Sequence, residues 1–188
     1  MKLPMLILAS GSPRRSGLLR QLTLDFQVIP GESTEIHHEQ LTARELCQVN
    51  AYRKARSVAK RHPDALVLGA DTLVCLENEL LGKPADRAEA REMLERLQGR
   101  THEVITGVCL MQLRSHRQKI FVECSQVTFK PLTEERIDRY LASINPLDKA
   151  GAYAIQENGD QIVENVAGSF SNVVGLPIER LRQELDSW

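Results

Sequence analysis

The chain has 188 residues, 42% of them hydrophobic and 26% charged, and its net charge is −1. That composition suits one globular domain with its own core and excludes a disordered chain; no run approaches the ~20 apolar residues of a membrane span. Balanced charge with only 4% aromatics argues against a nucleic-acid-binding module or a membrane-surface protein, so any anion site must be local.

In chain order, Leu6-Ile7-Leu8-Ala9 reads as a strand opening into Ser10-Gly11-Ser12-Pro13-Arg14-Arg15. Ser12 is the expected N-cap of a helix and Pro13 its first residue. Arg14 and Arg15 then stand in the first turn, where the macrodipole is already positive and each cation costs roughly 0.3–1 kcal/mol. Two guanidinium forks converging beside free backbone N–H groups describe a trap for a polyanion. Leu18, Leu19 and Leu22 supply that helix's apolar stripe. Phe26 to Ile29 is a second strand, and Glu32 to Gln40 a polar loop.

Thr42 and Glu45 form a capping-box pattern for a long helix closed by His62-Pro63. Ala65 to Ala70 is a continuous apolar run, as in a strand buried on both faces, delivering Asp71-Thr72 at its carboxyl side, with an extended continuation through Leu73-Val74-Cys75-Leu76. Asp86 and Glu89 repeat the box for a helix stopped at Gly99. Val104 to Leu113 and Lys119 to Phe129 read as a hairpin around Ser115-His116. Thr133 caps a helix bearing Ile137, Tyr140 and Leu141, a strand lies near Gln161 to Val166, and an amphipathic helix carries Ile178, Leu181 and Leu185. The early alternation of strand and helix is that of an α/β protein.

Asp71, emerging from an apolar strand with Gly69 allowing close approach, is the strongest catalytic candidate, since open α/β sheets bind ligands beyond the carboxyl ends of their strands. An ionised Asp there holds a divalent cation or takes a proton from water. Lys83 lies on the turn Gly82-Lys83-Pro84, and Lys54 on the long helix. Glu35 and His37-His38-Glu39 lie in the polar loop, the two adjacent histidines being weak evidence for zinc. Lys149 and Gln156 sit in a segment of small residues, and the Gln156 amide offers a donor and an acceptor to a base edge. Several cations with two acids describe a site for a triphosphate and a divalent metal. The pattern is neither a P-loop nor a dinucleotide fingerprint. Cys47, Cys75, Cys109 and Cys124 show no paired or zinc-finger spacing and read as reduced, mostly buried thiols. With no signal-peptide pattern at the start, the expected location is the cytoplasm.

These residues resemble the Maf family of nucleoside triphosphate pyrophosphatases over nearly the whole chain. The matching segments are Leu8 to Arg15, Lys54-Ala55, Gly69 to Thr72, Gly82-Lys83-Pro84, His102 with Thr106-Gly107, Asp148 to Tyr153 with Ile155-Gln156, and Gly168-Ser169 with Asn172 to Pro177. The resemblance implies a single 1–188 domain of the inosine-triphosphatase-like α/β class, its long mixed β-sheet and helices forming two lobes around a nucleotide cleft. It implies hydrolysis of dTTP and UTP, and of modified pyrimidine triphosphates, to the monophosphate and pyrophosphate with Mg²⁺ or Mn²⁺. The alternative reading is a nucleotide-sensing regulator of septum formation without significant turnover.

By the same resemblance Asp71 matches the proton acceptor, and Arg15, Thr72 and Gln156 match positions marking the dTTP/UTP-preferring branch. Ser10, Arg14, Glu35, Lys54 and Lys83 match substrate or metal positions; whether Asp71 is base or chiefly metal ligand stays open. A homodimer is the implied assembly. The chain departs from the family pattern at Thr34-Glu35 (usually Asp-Glu), at Asn50-Ala51 (usually Leu-Ala) and at Glu157-Asn158, where a glycine usually follows the glutamine.

Overall fold

The computed structural model describes residues 4–34, 36 and 40–188. Its strands are β1 (Leu6–Leu8), β2 (Phe26–Val28), β3 (Leu66–Leu76), β4 (Glu79–Leu81), β5 (Thr101–Gln112), β6 (Arg117–Phe129) and β7 (Val163–Ala167). Its α-helices are α1 (Pro13–Arg20), α2 (Ala43–Ala59), α3 (Arg87–Leu97), α4 (Glu134–Ser143), α5 (Phe170–Val174) and α6 (Ile178–Asp186). The sheet order is β2-β1-β3-β5-β6-β7, with β4 on β3. β1 pairs parallel with β2 and with β3, whereas β4 on β3 and β7 on β6 are antiparallel. The expected mixed α/β sheet is the one observed.

Local signals explain most element starts. Ser12 is the N-cap of α1, its side chain accepting from the Arg15 N–H, and Pro13 occupies the first turn. At α2 the capping box is complete: Thr42 accepts from the Glu45 N–H, and the Glu45 carboxylate accepts from the Thr42 N–H at 2.9 Å. α2 ends at Ala59 with Lys60 as its C-cap, ahead of His62-Pro63. The box expected at α3 forms only in half. Asp86 accepts from the Glu89 N–H at 2.9 Å, but the Glu89 carboxylate reaches one residue further back, to the Ala85 N–H at 2.6 Å. At α4, Thr133 occupies the N-cap without a side-chain cap bond.

The chain divides into two compact units, the first comprising residues 1–72, 106–123 and 175–188, the second 73–105 and 124–174. In the first unit Ile7, Val67, Ala51, Ala55, Val58 and Cys109 form a core in which α2 lies against the sheet. Two glycines make that contact possible. A Cβ on Gly69 would stand 2.7 Å from the Ala55 backbone N, and one on Gly107 would stand 2.5 Å from the Cys47 carbonyl oxygen. In the second unit Leu94, Leu97, Phe129, Tyr140 and Tyr153 anchor a separate core. There His102 donates or accepts through Nε2 with the Tyr153 hydroxyl at 2.7 Å and packs edge-on against Phe129.

Candidate active site

β1 and β3 run parallel with Leu8 beside Leu68, so Asp71 and Thr72 stand just beyond the level at which β1 ends and Ser10 begins. The strand itself does not stop there. β3 continues to Leu76, so Asp71 is mid-strand, as the extended stretch through Leu73 to Leu76 implied. It is still at the carboxyl end of the parallel part of the sheet, where α/β proteins place ligands.

Asp71 is 4% exposed. A carboxylate so buried needs partners for its charge, and α2 supplies two from one face. The Lys54 Nζ donates to Asp71 Oδ1 at 2.6 Å, and the Asn50 amide donates to Oδ2 at 3.2 Å. Residues 50 and 54 are one helical turn apart and therefore share a face. Close packing of α2 over Gly69 and Gly107 is what brings that face within reach. The close approach that Gly69 was expected to offer a ligand is taken by the backbone of α2. Burial, with the charge of Asp71 nearby, pushes the Cys47 thiol up to about 12, so it stays protonated and is no nucleophile.

Arg15, one of the two forks expected to converge on an anion, bonds to protein groups. Its Nε donates to the Gly175 carbonyl at 2.9 Å, one terminal nitrogen to Ser10 Oγ at 3.2 Å, and the other to Thr72 Oγ1 at 3.0 Å. Thr72 Oγ1 in turn meets Thr106 Oγ1 at 3.0 Å. Arg15 thus ties α1, the end of β1 and Asp71's neighbour into one frame, while Arg14 is half-buried at the helix start. Ser10, Arg14, Arg15, Lys54, Asp71 and Thr72 all belong to the first unit.

Lys83, Lys149 and Gln156 belong to the second. Lys83 is exposed after β4, and its segment is held by the Gly151 N–H donating to the Gly82 carbonyl at 3.0 Å. Gln156 is exposed in the turn 155–158. Lys149 is buried, and its Nζ donates to the Asn145 carbonyl at 2.6 Å and pairs with Asp148 at 2.8 Å and Glu157 at 3.2 Å. Glu35 and the His37-His38-Glu39 run lie outside the described residues. Sequence reasoning passed over Asn50 as a site residue; the signal available was a polar side chain one turn before Lys54 on an otherwise apolar helix face.

Among the described residues no three or more His, Cys, Asp or Glu side chains cluster as a metal cage. The buried Asp71 carboxylate fits Mg²⁺ or Mn²⁺, because Mg²⁺ is commonly bound through one or two carboxylates plus substrate phosphates. No helix among the described residues is long and apolar enough to cross a membrane.

A mixed sheet with a buried acid–lysine pair at the end of its parallel strands defines an α/β protein with a polar site of enzymatic type. The family model described as Maf-like protein matches residues 5–188, and the chain belongs to that family. It is 48% identical over 179 residues to a dTTP/UTP pyrophosphatase of Bacillus cytotoxicus, covering 95% of this chain and 93% of that protein. It is 46% identical to a dTTP/UTP pyrophosphatase of Carboxydothermus hydrogenoformans, covering 96% and 97%. The structure of the Staphylococcus aureus Ham1 protein shares the fold, with a TM-score of 0.56 at 16% identity over 97% of this chain and 98% of that one.

Proposed function

We propose that the chain is a nucleoside triphosphate pyrophosphatase that hydrolyses dTTP and UTP, and modified pyrimidine triphosphates, to the monophosphate and pyrophosphate. The observation that carries the chemistry is Asp71, buried yet held by Lys54 at 2.6 Å and Asn50 at 3.2 Å. The relatives' names supply the substrate class.

In this reading Asp71 takes a proton from water as the water oxygen bonds to one phosphorus of the α–β anhydride. The bridging oxygen departs with the other phosphorus, so one P–O bond forms and one breaks. Ser10 and Arg14 receive phosphate oxygens where α1 begins, and Arg15 keeps Thr72 in place beside Asp71. Lys54 and Lys83 neutralise charge developing on the phosphates. The Gln156 amide pairs with the pyrimidine edge, which presents both a donor and an acceptor. Asp71, with Glu35 as second oxygen donor, would hold Mg²⁺ or Mn²⁺, which supplies charge neutralisation to the triphosphate. Four free cysteines suit the reducing cytoplasm, and the assembly in this reading is a homodimer.

The test is a panel of canonical and modified nucleoside triphosphates, each incubated with the purified chain and Mg²⁺ or Mn²⁺. Pyrophosphate release from dTTP and UTP ahead of purine triphosphates is expected. Release of inorganic phosphate alone, or no release from any of them, would overturn the reading.

A further inference from the structure

We propose that Asn50 is a positioning residue that fixes the rotation of the Asp71 carboxylate and couples it to the backbone of Ile36. The proposal rests on Asp71 being the group that accepts the proton. A carboxylate's terminal torsion is broad and roughly two-fold. One contact from a flexible lysine end does not set it; a second contact on the other oxygen does. Asn50 makes that second contact, donating to Oδ2 at 3.2 Å while Lys54 holds Oδ1.

The same amide is clamped from the far side. Asn50 Oδ1 accepts from the Ile36 N–H at 3.0 Å, and its Nδ2 also donates to the Ile36 carbonyl at 3.3 Å. Asn50 is 2% exposed, so water is a poor substitute for any of these bonds. The result is a rigid bridge from the backbone at position 36, through one buried amide, to the reacting acid. An amide also differs from Lys54 in kind: it orients the carboxylate without bringing a positive charge. When a triphosphate draws the Lys54 ammonium toward its own oxygens, Asn50 keeps Asp71 oriented. Its loss should therefore fall on turnover and leave nucleotide binding largely intact.

Two variants separate the bonds. Asn50→Ala removes all three without installing the leucine usual in the family. Asn50→Asp keeps an oxygen for the Ile36 N–H but turns an acceptor toward Asp71. Both are expected to lower kcat for UTP about tenfold or more, with KM changed less than about threefold, provided circular dichroism shows a folded chain. Wild-type kcat in the folded Asn50→Asp protein would overturn the proposal.

A readout without turnover distinguishes this from failure of the pyrophosphatase reading. Amide hydrogen exchange at Ile36 should quicken about tenfold in Asn50→Ala. It should also quicken in Asp71→Ala, where Asn50 loses its anchor, even if no nucleotide is hydrolysed. Unchanged Ile36 exchange in Asp71→Ala would show that the bridge does not couple Ile36 to the acid, and the proposal would fall.

Discussion

Gly69 lies directly beneath the Ala51 carbonyl oxygen of α2, so close that any β-carbon at position 69 would fall far inside van der Waals contact. That relationship sets how near α2 comes to β3, and so whether Asn50 and Lys54 reach Asp71. Gly69→Ala must push backbone away from backbone, and overpacking of this kind costs about 3 kcal/mol. Urea unfolding should show that loss together with a fall in pyrophosphate release. Gly17→Ala is the contrasting variant. It sits inside α1, where an added β-carbon would meet nothing within 4 Å, and it should gain roughly 0.5–1 kcal/mol. Equal stability for the two alanine variants would contradict this account of the helix–sheet contact.

Lys54 is 14% and Asp71 5% exposed at the side chain. Removing one member of a buried pair leaves the other's charge uncompensated, so Lys54→Met should cost about 3 kcal/mol in urea unfolding. Replacing both, as Lys54→Met with Asp71→Leu, should recover most of that stability while leaving no activity. A Lys54→Met protein as stable as wild type would mean the pair carries no structural charge balance.

Signals written within a few residues were legible in the sequence, and contacts made across the fold were not. Ser12-Pro13 and the Thr42–Glu45 box announced their helices because the bonds involved span three residues. Asp71 was legible because an acid ending an apolar run is conspicuous. Asn50 stood out only as a departure from the family's usual leucine; its bond to Asp71 was hidden because that partner is 21 residues away and an amide on a helix has no motif. The bonds of Arg15 to Thr72 and Gly175, 57 and 160 residues distant, were not legible because only folding joins them. β4 and α5, of 3 and 5 residues, are too short for any periodicity to show.

His102 offers a pH-dependent test of the second unit. Burial lowers its pKa from 6.5 to about 4, so the unfolded chain binds the proton more readily than the folded one. Its contribution is intact above about pH 6.5 and is lost as the pH falls toward 4. Between pH 7.5 and 5 that loss amounts to about 2 kcal/mol. Urea unfolding at both pH values should show the wild type losing about 2 kcal/mol more than His102→Phe. Equal losses would mean that the imidazole is not held neutral by burial.

Gln156 is exposed in its turn, so truncation should leave the fold untouched. If its amide reads the pyrimidine edge, Gln156→Ala should reduce the preference for UTP over 7-methyl-GTP about tenfold. The ratio of the two kcat/KM values measures this, and an unchanged ratio would remove Gln156 as a selector.

The most direct test of the central claim compares pyrophosphate release from UTP by the wild-type chain and by Asp71→Asn, with Mg²⁺ present and folding checked by circular dichroism. Asp71 as proton acceptor predicts one pyrophosphate per UMP in the wild type and a loss of about 10²–10⁴-fold in the folded variant. Near-wild-type release by a folded Asp71→Asn protein would contradict it.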